Sequence, residues 1–207
     1  MADQRRRTPT RSGWRVAFWW GVVLGLAVWG SDMVSTDVQA ADEALRFTPP
    51  PGWRQIHAVE RDGLAVRHLI PPGQGGGDWR DMITVQVLRI ARPPPLESLY
   101  ARALAGYQAQ CADARGGGLQ QGESNGYVTG FWVLGCPENA QTGRGETAFF
   151  KATLGDQAVY VLQRVWRTAP FEPDTEADID ADSRRQAIDM LKAARVCLPG
   201  STAHPCR

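Results

Sequence analysis

Residues 157–167 read Gln-Ala-Val-Tyr-Val-Leu-Gln-Arg-Val-Trp-Arg. Successive side chains of a strand point to opposite faces. Tyr160 and Leu162 therefore share one face, and Val159, Val161 and Val165 share the other. Both faces are apolar, which places this strand in the middle of a sheet and not at its edge. Gly155-Asp156 makes a tight turn back to a preceding strand over residues 146–154.

The remaining elements follow from periodicity. Residues 56–60 and 64–70 flank Arg61-Asp62-Gly63, and Asp-Gly is a hairpin signal. Residues 71–77 form a Pro/Gly-rich loop. Ile83, Val85 and Val87 alternate with Thr84 and Gln86, giving a half-buried strand over 82–90. Leu96, Leu99, Tyr100, Ala103, Leu104, Tyr107 and Cys111 line one face of a helix. Residues 127–134 form another strand. A helix starting near Thr175 carries Ala187, Ile188, Leu191, Ala194 and Leu198 as its apolar stripe. Short turns between neighbouring strands make the sheet antiparallel. The expected fold class is α+β: an antiparallel β-sheet with two main helices packed on one face, containing disulfides. Leu99, Leu104, Phe131, Val161, Ile188 and Leu191 are expected in the core.

The first 40 residues are of another kind. Arg5, Arg6, Arg7, Arg11 and Arg15 precede a 15-residue uncharged run, Val16 to Gly30, and a small-residue ending, Val38-Gln39-Ala40. This pattern fits a secretory signal peptide cut after Ala40, the alternative being a retained N-terminal anchor. The expected domains are a leader over 1–40, a single α+β domain over 41–200 and a C-terminal tail over 201–207. The whole chain has 23 Lys+Arg and 22 Asp+Glu. Taking away five Arg and three Asp leaves 18 basic and 19 acidic residues, too balanced for a nucleic-acid binder that works by bulk charge. All four cysteines, Cys111, Cys136, Cys197 and Cys206, lie beyond the leader and match no zinc or redox spacing. An even count in an exported chain reads as disulfides. Cys111 and Cys136 end a helix and the strand that returns beneath it, and Cys197 and Cys206 enclose a short tail. Those are the expected pairs; the rival set is Cys111–Cys197 with Cys136–Cys206.

The opening Phe47, Pro50, Gly52 and Trp53, followed by hairpins, one middle helix, a long hairpin and a C-terminal helix, resembles the Mog1/PsbP-like fold. The resemblance rests on element order. It implies a small exported bacterial protein of unassigned activity and no active residues to carry over.

Few constellations carry chemistry. Gly122-Glu123-Ser124-Asn125-Gly126 matches G-x-S-x-G, but a serine elbow needs a strand before it and a helix after it. Here a strand follows, and Ser-Asn-Gly suits a turn. Asp178, Asp180 and Asp182 imitate a calcium loop without its glycine or closing glutamate, and fit a solvated helix start. His57 and His68 face each other across a hairpin without a third ligand, so no metal and no cofactor is expected. Trp53, Trp79, Trp132 and Trp166 remain. Aromatic faces beside arginine bind sugars, peptides or anionic head groups. Trp79, Arg80 and Trp53 are the candidate contact residues, while Trp132 and Trp166 suit the core. The chain thus reads as a periplasmic or secreted bacterial protein, a non-catalytic binding, accessory or assembly factor. Its partner would be another envelope protein, a cell-wall component or a small molecule. Alternatives are a small periplasmic hydrolase and a module anchored in the inner membrane, which would touch the membrane only through a retained leader. N-terminal sequencing of the exported protein should begin at Ala41 or within a few residues of it; recovery of the intact leader in membranes would overturn cleavage.

Overall fold

The structure, a computed structural model, describes residues 42–206, so the leader and its cut site lie outside the described residues. In chain order the strands are β1 (Ala44–Arg46), β2 (Arg54–Arg61), β3 (Leu64–Ile70) and β4 (Asp81–Leu88). Helix α1 (Leu96–Gln108) follows. Then come β5 (Arg115–Gly116), β6 (Gln120–Ser124), β7 (Tyr127–Asn139), β8 (Arg144–Leu154) and β9 (Val159–Thr168). Helix α2 (Ala181–Ala193) and β10 (Arg195–Cys197) close the chain. The main sheet runs β2-β3-β4-β9-β8-β7-β5, with β6 also on β7, and every pairing is antiparallel. β1 and β10 form a separate two-stranded ribbon. The fold is α+β, with β9 central.

The helices do not share a face. Alternation along β9 sends Val165 to one side, into a core with Ile70, Met82, Trp132, Leu134 and Phe150. Leu96, Leu99, Tyr100 and Leu104 of α1 pack there. Leu162 points to the other side and meets Ile83, Val85 and α2's Met190 and Leu191. The two apolar faces of β9 need two covers, and a pair of helices on one side would leave the other face wet. This corrects the one-sided packing expected from sequence.

The second helix is also shorter than its stripe suggested. It starts at Ala181, where the Asp180 side chain accepts from the Ser183 N–H at 2.8 Å, a standard N-cap. Thr175 lies outside it, its hydroxyl donating to Glu172 O in a turn. It stops at Ala193, so Cys197 lies not at a helix end but on a strand paired with Ala44. Ile188 is 40% exposed, because Ala187, Met190 and Leu191 make the contact. Leu191 is buried; Leu99, Leu104, Phe131 and Val161 are half-buried. The polar residues 120–124 form edge strand β6, which periodicity does not mark.

Two turns use left-handed backbone: Asp62-Gly63 and Asn125-Gly126, with φ of 52° and 79°, and 53° and 81°. That is the type I′ pattern matched to twisted hairpins. Cys111 is joined to Cys136 with Cα atoms 5.8 Å apart, and Cys197 to Cys206 at 5.0 Å. The first bridge ties the chain after α1 to β7, and the second folds residues 198–206 back.

Leu134 has no exposed surface. Leu134→Ala should cost about 2–4 kcal/mol in urea unfolding, while Ile188→Ala should cost under about 0.5 kcal/mol. Equal losses would mean that α2 docks through a different face.

Candidate functional site

The sequence-derived contact residues separate across the sheet. Arg164 is 2% exposed and donates from Nε and Nη2 to the two oxygens of Asp81, at 3.1 and 2.8 Å. Its guanidinium stacks 5.2 Å from the Trp53 ring and 5.0 Å from Trp166. Trp53 thus spends a face on a buried cation, on the α2 side. Nη1 of Arg164 is buried without a hydrogen-bond partner. Trp79 packs on the α1 side, where Arg167 lies 3.7 Å from its ring and donates to Glu146 at 2.9 Å. The exposed Arg80 accepts the Arg167 N–H at its carbonyl. Trp53 and Trp79 therefore do not form one surface.

Ser124 closes β6 just before the Asn125-Gly126 turn, so strands flank the G-x-S-x-G motif on both sides. Its Oγ accepts from Lys151 Nζ at 3.2 Å. Lys151, which sequence reasoning passed over, is 2% exposed and lies 5.2 Å from the Phe131 ring. It also donates to the carbonyl of Ala194, the C-cap of α2, where a cation complements the helix dipole. Burial pushes its pKa down to about 8. A lysine can serve a serine as base, but here the same ammonium is held by a helix-end carbonyl. The turn is pinned besides: Asn125 Nδ2 donates to Val196 O at 2.8 Å, and His204 packs on Asn125 O and stacks on Tyr127. The arrangement is a knot that fastens β8, α2 and the tail.

His57 and His68 face each other with ring centroids 5.1 Å apart. Partial burial, then the neighbouring His57, lowers the pKa of His68. Among the described residues, no group of three or more His, Cys, Asp or Glu could hold a metal ion. Asp180 is committed to the helix cap and Asp182 to an ion pair with Arg185.

A cavity of about 350 Å³ opens on the α2 side of the sheet. Its floor is two adjacent cross-strand pairs of β7 and β8, Val133 with Phe149 and Gly135 with Thr147. Residues 169–180 pass over it as a strap. Gly145 sets the strap's height: a Cβ there would lie 2.6 Å from the Phe171 ring and 2.7 Å from Ala169 O. Phe171, Ala177 and Ile179 line the roof, and Arg184 of α2 stands at the wall. A second hollow of about 250 Å³ shares Val133, Gly135, Phe171 and Thr175 and ends at Arg115. Two ion pairs with exposed carboxylates lie along the strap, Arg115–Asp174 and Arg184–Glu176. Its components come from three distant segments, and no single stretch of sequence signals it. An apolar hollow of this size with few charged groups has the character of a ligand site.

No protein-family model matches the chain, and no curated protein does. Among solved structures the chain is similar to a mutant form of the protein Mog1. The TM-score is 0.40 and the identity 11%, over 72% of this chain and 83% of that one. A likeness of that size carries no argument about fold or activity.

Lys151 yields a pH signature. The folded pKa near 8 lies below the ordinary 10.5, so between these values the unfolded chain binds more protons and stability rises with pH. From pH 7.5 to 9.5 the unfolding free energy should grow by about 2 kcal/mol relative to Lys151→Met. Parallel pH profiles of the two proteins would contradict a buried, unpaired ammonium.

Proposed function

We propose that this chain is an exported bacterial protein of the cell envelope, a non-catalytic binding domain acting as an accessory or assembly factor. The observation that carries this reading is the pair of disulfides, which uses all four cysteines. Disulfides persist in oxidising compartments and are rare in the reducing cytosol. Cys111 and Cys136 are 3% and 1% exposed, so the first bridge belongs to the folded interior, while the second joins the wholly buried Cys197 to the exposed Cys206. The basic start and apolar run of residues 1–30 support the same compartment.

The N-terminal end of the domain fits processing after Ala40. Glu43, 6% exposed, accepts the Asp156 N–H at 2.8 Å, and its carbonyl accepts the Tyr160 hydroxyl at 3.0 Å. It fills the notch left by Gly155, where a Cβ would collide with its carboxylate. Only Ala41 and Asp42 would separate this anchor from the cut. The binding role rests on the cavity beneath the strap, whose lining is mainly apolar.

Expression of the tagged full chain in a bacterium, followed by fractionation and thiol labelling without reductant, tests the reading. The protein should appear in the periplasmic or membrane fraction with no thiol labelled, and label fully only after reduction. Recovery in the cytosol with four reactive thiols would overturn it; recovery in membranes with the leader intact would favour the anchored form.

A further inference from the structure

The cavity beneath the strap has one cation on its wall. Arg184 donates from Nη2 to Ala177 O at 2.7 Å and from Nη1 to the Glu176 carboxylate. Arg184 is 32% exposed at its side chain, but Glu176 is 82% exposed. A pair with so wet a partner is weak, and the Glu176 carboxylate can swing into water without leaving a buried charge. The guanidinium fork that would remain suits a carboxylate. Next to it lies apolar floor: Phe149, and Val133, which is 38% exposed. At Gly135 a Cβ would meet nothing within 4 Å, so the floor has a gap where a side chain would otherwise stand. Exposed valine, missing side chain and a single displaceable counter-ion lie within one hollow.

We propose that this cavity binds a free medium-chain fatty acid, its carboxylate taking the place of Glu176 on Arg184 and its chain lying on Val133, Gly135 and Phe149. The proposal rests on the reading of the chain as a binding domain and names that domain's ligand class. The volume of about 350 Å³ lies at the small end of ligand sites, which favours a chain of about eight carbons over a long lipid. Burial of the chain drives association, and the Arg184 fork distinguishes acid from alcohol. Glu176 is then an internal competitor, and its removal strengthens binding.

Isothermal titration of the oxidised full chain with sodium octanoate tests this, with octan-1-ol as the uncharged comparator. Octanoate should saturate one site, and octanol should bind about tenfold or more weakly. Arg184→Gln should weaken octanoate binding by a similar factor, while Glu176→Gln should tighten it several-fold. Gly135→Val puts a branched side chain into the gap at a strand position and should abolish binding with an unchanged melting temperature. If that variant loses its fold, the opposite shifts of the Arg184 and Glu176 variants decide alone. Absence of saturation at millimolar octanoate, or equal affinities for both variants and wild type, would overturn the proposal. A protein that is exported and disulfide-bonded yet ignores octanoate would remove this ligand and leave the binding reading; a cytosolic, reduced protein would remove the reading itself.

Discussion

β8 and β9 are buried on both faces. Ala148, Ala152 and Val165 look toward α1, and Leu162, Arg164 and Phe149 toward α2. Each face needs its own cover, and the chain supplies them at separate points, α1 between β4 and β5 and α2 after β9. The long links that follow from this arrangement shape the rest. The chain after α1 is brought to β7 by the Cys111–Cys136 bridge. The chain between β9 and α2 passes over β7 and β8 on the α2 side, and it does so as the strap over the cavity. The candidate site is thus a by-product of covering a two-faced sheet.

The same constraint explains the buried charges. Lys151 and Arg164 on the central strands are each 2% exposed, so they need partners within the layer. Arg164 has the Asp81 carboxylate and two indole faces. Lys151 has the α2 terminal carbonyl, a hydroxyl and an aromatic ring. Breaking the Arg164–Asp81 pair from one side is costlier than replacing both members with apolar residues of similar volume. Their merit is placement: each fixes where a helix end or a loop meets the sheet.

Much of this was legible in the sequence, for particular reasons. Asp62-Gly63 announced its hairpin because few residues tolerate left-handed backbone. The period of Leu96 to Tyr107 announced α1. The two apolar faces of residues 157–167 place β9 in the middle, and the same two faces require one helix on each side. The cysteines could be paired because they bracket elements that have to meet. Other features had no local signal. Ala194 and Leu198 continue α2's helical period, yet residues 195–197 turn to strand because β1, some 150 positions away, offers them a partner. Polar β6 looks like a loop because it lies at the exposed edge of the sheet. Trp53 and Trp79 both precede an arginine, but they lie outside the strands, and packing puts them on opposite sides of the sheet. The cavity joins residues from β7–β8, the strap and α2, and no linear pattern records that meeting.

The β1–β10 ribbon has a mechanical meaning. Ala44 stands opposite Cys197, and Arg46 opposite Arg195, so the outer ends of the two strands lie side by side. Force applied at Cys206 passes through its bridge straight to Cys197 and bypasses residues 198–205. Force applied at residue 42 meets Glu43 first and then Ala44. A pull between these ends would open the ribbon one pair at a time, like a zipper, and never load all three pairs in shear. The eight-stranded sheet would share the load only through Glu43, held by Asp156 and Tyr160, and through Asn125, which donates to Val196 and Pro205. The domain therefore has a soft seam at its own ends, and a tether drawn from one side would part that seam while the core stayed folded.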